Sequence, residues 1–174
     1  RADHAGTTAP ADRRDALAAA AELVAGVEAL AGDDVRATVG RVDVAPNAAT
    51  TIAARCVAWV DVRGRDDGAL ATAVERVEDA ARAAAGRRGV AVDAVEESRS
   101  PAVTFATPLR DALGGPEVTC WAGHDSGVLA AALPAALVLV RNRSGVSHAP
   151  EEHVDLDDAA AGVDALVRAV EGIA

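Results

Sequence analysis

Ile52-Ala53-Ala54-Arg55-Cys56-Val57-Ala58-Trp59-Val60-Asp61-Val62-Arg63 decides the fold of the first hundred residues. Cys56, Ala58, Val60 and Val62 alternate with Val57, Trp59, Asp61 and Arg63. A period of two sends successive side chains to opposite faces of a strand. One face is therefore apolar, and the other carries an acid and a base side by side.

Working outward, residues 35–44 form a second strand, which Pro46-Asn47 breaks. Before it, Leu17, Ala20, Val24 and Val27 recur at helical spacing, with Leu23 and Leu30 beside them, over residues 13–31. Asp12 reads as the cap of that helix, Asp15 lies in its first turn, and Gly32 ends it. After the quoted strand, Asp67 caps a helix carrying Leu70, Ala73, Val74, Val77, Ala80 and Ala81 and ending near Gly86. Residues 90–95 read as another strand. The order is helix, strand, strand, helix, strand. One more strand before His4, with residues 1–4 as its end, makes the βαββαβ layout of a ferredoxin-like unit.

Beyond residue 100 the rhythm changes. Helices are expected at 107–113, 125–133 and 156–173, the last with Leu156, Val163, Leu166, Val167 and Val170 on one stripe. Short strands are expected at 118–121 and 135–140. Two parallel strands among three helices would leave both sheet edges open. The tail therefore reads as part of a larger α/β sheet whose other strands lie outside this sequence. The expected division is 1–100 and 101–174.

Composition narrows the function. Apolar residues make up 51% of the 174, enough for a buried core built mainly from alanine and valine. A net charge of −10 denies the chain the basic footprint that nucleic-acid binding needs. No apolar run reaches the roughly 20 residues of a membrane span. The spacing of Cys56 and Cys120 is unlike any zinc-ligand spacing, so they read as two buried thiols in a reducing, cytoplasmic compartment.

Three of the four histidines, His4, His124 and His148, sit in loops rich in Gly, Ser and Thr, where a rigid scaffold presents reactive groups. His148 follows a buried-type strand, and ligands gather at the carboxyl ends of strands in open α/β sheets. It is a candidate metal ligand, with Glu151 and Glu152 placed to hold its imidazole in one tautomer. A single histidine does not bind zinc usefully, so further ligands would have to come from elsewhere. Asp125 reads as a helix cap more readily than as a catalyst. Gly123 would let a backbone N–H approach an anion near that helix start. Two readings stand for Arg63: a bidentate carboxylate binder, or the partner of Asp61 in a surface pair worth little.

As a set, the motifs resemble the M20-type amidase/hydantoinase/carbamoylase family. His4-Ala5-Gly6-Thr7-Thr8 with Arg13-Arg14-Asp15-Ala16-Leu17 is similar to the start of that family's lid domain. Pro46-Asn47-Ala48 leading to Val60-Asp61-Val62-Arg63 is similar to its strand pair. Ala122-Gly123-His124-Asp125 and Val140-Arg141-Asn142 through Gly145-Val146-Ser147-His148-Ala149-Pro150-Glu151-Glu152 are similar to its returning catalytic domain. The resemblance implies an α+β lid at 1–100 that dimerises, then an incomplete α/β catalytic segment of a zinc-exopeptidase-like fold at 101–174.

It also implies hydrolysis of a ureido or carbamoyl substrate, such as allantoate or an N-carbamoyl-L-amino acid. Two divalent metal ions, zinc or manganese, would serve the full-length enzyme, with a glutamate as general base. By the same resemblance His148 is the late histidine ligand. His4 polarises the substrate carbonyl from the partner subunit, Arg63 holds the substrate carboxylate, and Gly123 offers backbone contact to the same end. Thr50 is the substrate-binding position where many members carry Asn; its shorter side chain, with no amide, implies altered recognition. Ala9-Pro10 and Trp121 also depart from the family pattern. Arg141-Asn142 is closer to the allantoate branch than to the carbamoyl-amino-acid branch. The remaining ligands and the base belong to a segment of roughly 200 residues outside this sequence. These 174 residues alone are expected to be inactive, and the rival function is a non-catalytic dimerisation or interaction module.

Overall fold

The computed structural model describes residues 1–173, which divide into a unit over Arg1–Ala102 and a second beginning at Val103. The first unit is built on two long antiparallel strands. β2 will denote Val35–Ala45 and β4 Arg55–Gly64; the short strands β1, Asp3–His4, and β3, Thr51–Ile52, flank them in sequence. The long pair runs in register from Val35 opposite Gly64 to Ala45 opposite Arg55, with an irregularity between Val39 and Arg41. β1 pairs antiparallel with β3 in a separate ladder, Asp3 opposite Ile52 and His4 opposite Thr51.

Two helices, α1 at Ala16–Glu28 and α2 at Asp67–Arg88, pack on each other and on the long strands. Their contact is made of small side chains: Ala19, Ala20, Ala73, Ala81, Ala84 and Ala85 are buried, and Val27 is fully so. Burying a valine side chain contributes about 1.5–3 kcal/mol. The buried stripe of α1 therefore lies beside the expected one. Ala20 and Val27 face inward, but Leu17 and Val24 are exposed.

Both helix starts shift from the sequence expectation. α1 is capped by Asp15, whose carboxylate accepts the N–H groups of Leu17 and Ala18 at 3.0 and 3.1 Å. Asp12 instead closes a short 3-10 turn, Pro10–Asp12. α2 is capped by Asp66, which accepts the Ala69 N–H at 2.8 Å. That frees Asp67 to accept the Ala102 N–H at 2.7 Å. α2 also runs past Gly86 to Arg88 and stops at Gly89, which is left-handed at φ 61°. Gly64 is required where β4 turns into α2, because a Cβ there would lie 2.3 Å from the Leu70 nitrogen.

Among the described residues the ladders are two separate two-stranded ones, β1–β3 and β2–β4, and not the continuous four-stranded sheet of the expected ferredoxin-like unit. Residues 90–95 have no ladder partner among the described residues. In the expected layout the first strand lies between the strand that begins at Ile52 and the last one; the antiparallel β1–β3 ladder is the first of those pairings, but β1 is only two residues long and offers the last strand little to pair with. Just beyond residues 90–95 the chain is tied to β4 by a side chain: the Trp59 indole N–H donates to Glu97 at 3.3 Å. What stands is a mixed α/β unit with one long ribbon and two covering helices.

The second unit holds α3 at Thr107–Leu113, α4 at Asp125–Leu129 and α5 at Leu156–Ile173. Neither expected strand, 118–121 or 135–140, forms among the described residues. A strand exists only against a neighbour, and none is present here for either run. α3 packs on α5, and the Ala106 N–H donates to the Ala135 carbonyl at 3.1 Å. Gly162 lets α5 approach the 138–140 segment, where a Cβ would sit 2.4 Å from Val140 Cγ1. The apolar stripe of α5 is largely exposed, Leu156 at 86% and Val170 at 63%. Among the described residues no helix is long and apolar enough to cross a membrane.

Candidate active site

His4 ends β1 and its ring folds back over the following turn. Nδ1 accepts the N–H groups of Gly6 and Thr7 at 3.0 and 3.1 Å. A nitrogen that accepts two hydrogen bonds carries no proton, so the neutral ring is protonated at Nε2. The turn is closed by Thr8, whose N–H and hydroxyl both donate to the His4 carbonyl, at 3.1 and 2.8 Å. Arg13 reaches in from before α1, donating to the carbonyls of Ala5 at 2.7 Å and Thr8 at 3.2 Å. The Arg1 guanidinium, followed by the His4 N–H and the Thr8 side chain, holds the Asp3 carboxyl below the usual carboxylate range.

Thr50 lies beside His4, its carbonyl accepting the Ala5 N–H at 2.9 Å. Arg63 is elsewhere. It stands near the far end of β4, and eight residues at about 3.4 Å each put its Cα about 27 Å from that of Arg55. Its guanidinium meets Asp61 on the same face, Nη2 to Oδ2 at 2.6 Å, with both side chains about half exposed. The surface pair thus forms. In high dielectric such a pair is worth at most about 1 kcal/mol, so a competing carboxylate can displace it.

His148 is exposed, and its backbone is left-handed at φ 58°. Two side chains shape the loop around it. Asn142 accepts from Ser144 and Gly145 through Oδ1 and donates through Nδ2 to the Val146 carbonyl at 2.8 Å. Glu152 accepts the main-chain N–H of His148 at 2.9 Å. The sequence places Glu151 and Glu152 to orient the imidazole; in the structure Glu152 holds the backbone N–H.

His124, not Asp125, caps α4. Its Nδ1 accepts the Ser126 N–H at 3.1 Å and lies 2.9 Å from the Ser126 hydroxyl. Gly123 precedes it in open space, with nothing within 4 Å of where a Cβ would be. Arg141 is engaged by Asp158 at 2.8 Å, which raises its already high pKa, and Arg143 by Asp155 at 2.5 Å. Both cysteines are free thiols, but neither is buried as expected: Cys56 is half-buried and Cys120 exposed. Burial and the nearby Asp43 carboxylate raise the Cys56 thiol pKa.

The structure therefore brings His4 and Thr50 together and keeps Arg63 apart from them. His148 and Gly123 belong to the second unit. Among the described residues no group of three or more His, Cys, Asp or Glu side chains could hold a metal ion. The roles of Arg13 and Asn142, and the main-chain target of Glu152, are not read from the sequence. Their signal is weak, since each acts on main-chain groups that only the folded loop brings near.

The sequence profile of peptidase family M20/M25/M40 matches residues 8–172. An N-carbamoyl-L-amino-acid amidohydrolase from Paenarthrobacter aurescens is 31% identical over 185 residues, covering 99% of this chain and 45% of the relative. An allantoate amidohydrolase from Bacillus subtilis is 29% identical over 177 residues, covering 94% and 43%. The crystal structure of a hydantoinase/carbamoylase family amidase from Burkholderia vietnamiensis superposes with a TM-score of 0.91 at 28% identity, covering 97% of this chain and 44% of that one. The chain thus spans less than half the length of the relatives it matches. With a family profile running almost end to end and this fold shared with hydantoinase/carbamoylase amidases, the chain belongs to the M20/M25/M40 peptidase family.

Proposed function

We propose that this chain is part of a metal-dependent amidohydrolase that cleaves a C–N bond of a linear ureido or carbamoyl acid, of the allantoate or N-carbamoyl-L-amino-acid type. The observation that carries the reading is the His4 ring, whose Nδ1 is occupied by two main-chain N–H groups. That leaves Nε2–H as the donor. A fixed donor of this kind suits a carbonyl oxygen that gains negative charge as water attacks its carbon. Arg63 would bind the substrate carboxylate in place of Asp61, with the Gly123 N–H at the same end and Thr50 beside the substrate.

Two features support a homodimer. Strand β2 is paired with β4 on one edge only among the described residues, which leaves an eleven-residue template for a second copy. The length of β4 also separates Arg63 from the His4–Thr51 pair by far more than a ureido acid spans. His4 of one copy would then serve the substrate held by Arg63 of the other. Free thiols fit a reducing cytoplasm.

The residues described here include one candidate metal ligand, His148, and do not by themselves fit a metal pair. We infer that the other ligands and the base lie in further chain, and that the exposed stripe of α5 packs there. These 174 residues alone would be inactive.

The test is ammonia release from allantoate and N-carbamoyl-L-amino acids with zinc or manganese added. The full-length protein should release ammonia and the 174-residue chain should not. The rival reading, a non-catalytic dimerisation module, has the open β2 edge in its favour and expects no release from either. Subunit mixing tests the shared site. His4→Ala and Arg63→Ala proteins, each impaired, should together recover about a quarter of wild-type activity, because half the dimers are mixed and each holds one intact site. No recovery would place both residues in one subunit's site.

A further inference from the structure

We propose that Arg13 is a positioning residue that sets the orientation and tautomer of His4 through the Ala5–Gly6 peptide; this rests on the role given to His4 above. The Ala5 carbonyl and the Gly6 N–H belong to one planar peptide group. Arg13 Nη2 donates to its oxygen at 2.7 Å, and its N–H donates to His4 Nδ1 at 3.0 Å. The peptide cannot turn over without losing both bonds. A cation on the carbonyl also polarises the amide and strengthens its N–H as a donor, as linked hydrogen bonds do.

The second Arg13 bond extends the hold. Nε donates to the Thr8 carbonyl at 3.2 Å, so one rigid guanidinium spans the turn from Ala5 to Thr8. Between those residues lie both N–H groups that meet the ring. Lysine has no fork with which to bridge two carbonyls in fixed geometry. The turn has little slack on the ring side, since a Cβ on Gly6 would lie 3.1 Å from His4 Cε1. With Nδ1 held as acceptor, the ring presents Nε2–H in one direction before substrate arrives.

The experiment uses the full-length protein. Nitrogen-15 spectra of the His4 ring, assigned by their loss in His4→Ala and recorded where the ring is neutral, should show one tautomer with the proton on Nε2. In Arg13→Ala the two ring nitrogens should shift toward a mixture of tautomers. Arg13→Lys, which keeps the charge and protects the fold, should shift them partway. In kinetics, Arg13→Ala should lower kcat by up to about a hundredfold with KM little changed, the scale reached when a catalytic group is misplaced by about 1 Å. In a His4→Ala background the same change should cost nothing more, because the two residues act as one unit.

Unchanged ring spectra in both variants would overturn the proposal. So would a loss that simply adds to that of His4→Ala. If His4→Ala proves fully active, the function proposed for His4 fails, while the ring spectra still decide what Arg13 does.

Discussion

The main-chain N–H of His148 donates to Glu152 at 2.9 Å while His148 holds a left-handed φ of 58°. A non-glycine residue there costs about 1–2 kcal/mol, so the bond helps keep a strained backbone in place. Under the proposed function this fixes the position of a ligand. Glu152→Ala should weaken zinc or manganese binding to the full-length protein by about tenfold, the range seen when a supporting group is lost. Glu152→Gln keeps an acceptor and should lose less. Metal titration by calorimetry measures both, and wild-type affinity in Glu152→Ala would refute the link.

Arg63 and Asp61 compete with a substrate for the same bonds. Arg63→Ala should raise KM about tenfold or more with a smaller effect on kcat, through lost uniform binding. Asp61→Asn should lower KM slightly by releasing the guanidinium. Steady-state kinetics on allantoate and N-carbamoyl-amino acids decides. A fall in kcat alone for Arg63→Ala would move Arg63 from binding to chemistry.

Acid should loosen the α1–α2 contact. Glu22 on α1 accepts from Arg87 at 2.7 Å and Arg88 at 2.6 Å on α2, and these bonds hold its carboxyl below the usual range. A depressed folded-state pKa contributes stability above the unfolded value, about 4.3, and loses it as pH falls through the folded value. Glu22→Gln should therefore flatten that part of the stability profile and leave the region above pH 6 with a constant offset. Urea melts of wild type and variant at several pH values below 6 test it; parallel profiles would contradict the assignment.

Gly162→Ala should destabilise the second unit. The new methyl would lie 2.4 Å from Val140 Cγ1 unless α5 or the 138–140 segment moved. Overpacking of this kind costs about 1–3 kcal/mol, more than the helix propensity of alanine returns. Thermal unfolding of the full-length protein should show a lower midpoint. An unchanged or higher one would mean that the segment gives way freely.

What could be read in the sequence follows from how local each feature is. The β2–β4 ribbon and the helices α1, α2, α3 and α5 were legible because their periodicities lie within single segments. Helix caps were legible to within a turn: Asp12 and Asp15 are both competent caps, and only the 3-10 turn at Pro10–Asp12 shows which one is used. Residues 90–95 and 135–140 have strand-like composition but lack a neighbour, and a strand is a property of a pair. The histidines stood out by their loop settings. That His4 would turn Nδ1 inward, and that His124 would cap a helix, depends on side-chain torsions that spacing does not encode.

Position 50 shows a separation of duties. The β1–β3 corner holds Thr50 by its carbonyl, which accepts the Ala5 N–H, while the exposed side chain takes no part in that ladder. The threonine can be exchanged without moving the turn that aims His4. Under the proposed function, the range of substrates accepted and the aim of the polarising group are then set by different atoms of neighbouring residues. A lineage could retune the first by single substitutions here, with the second left untouched.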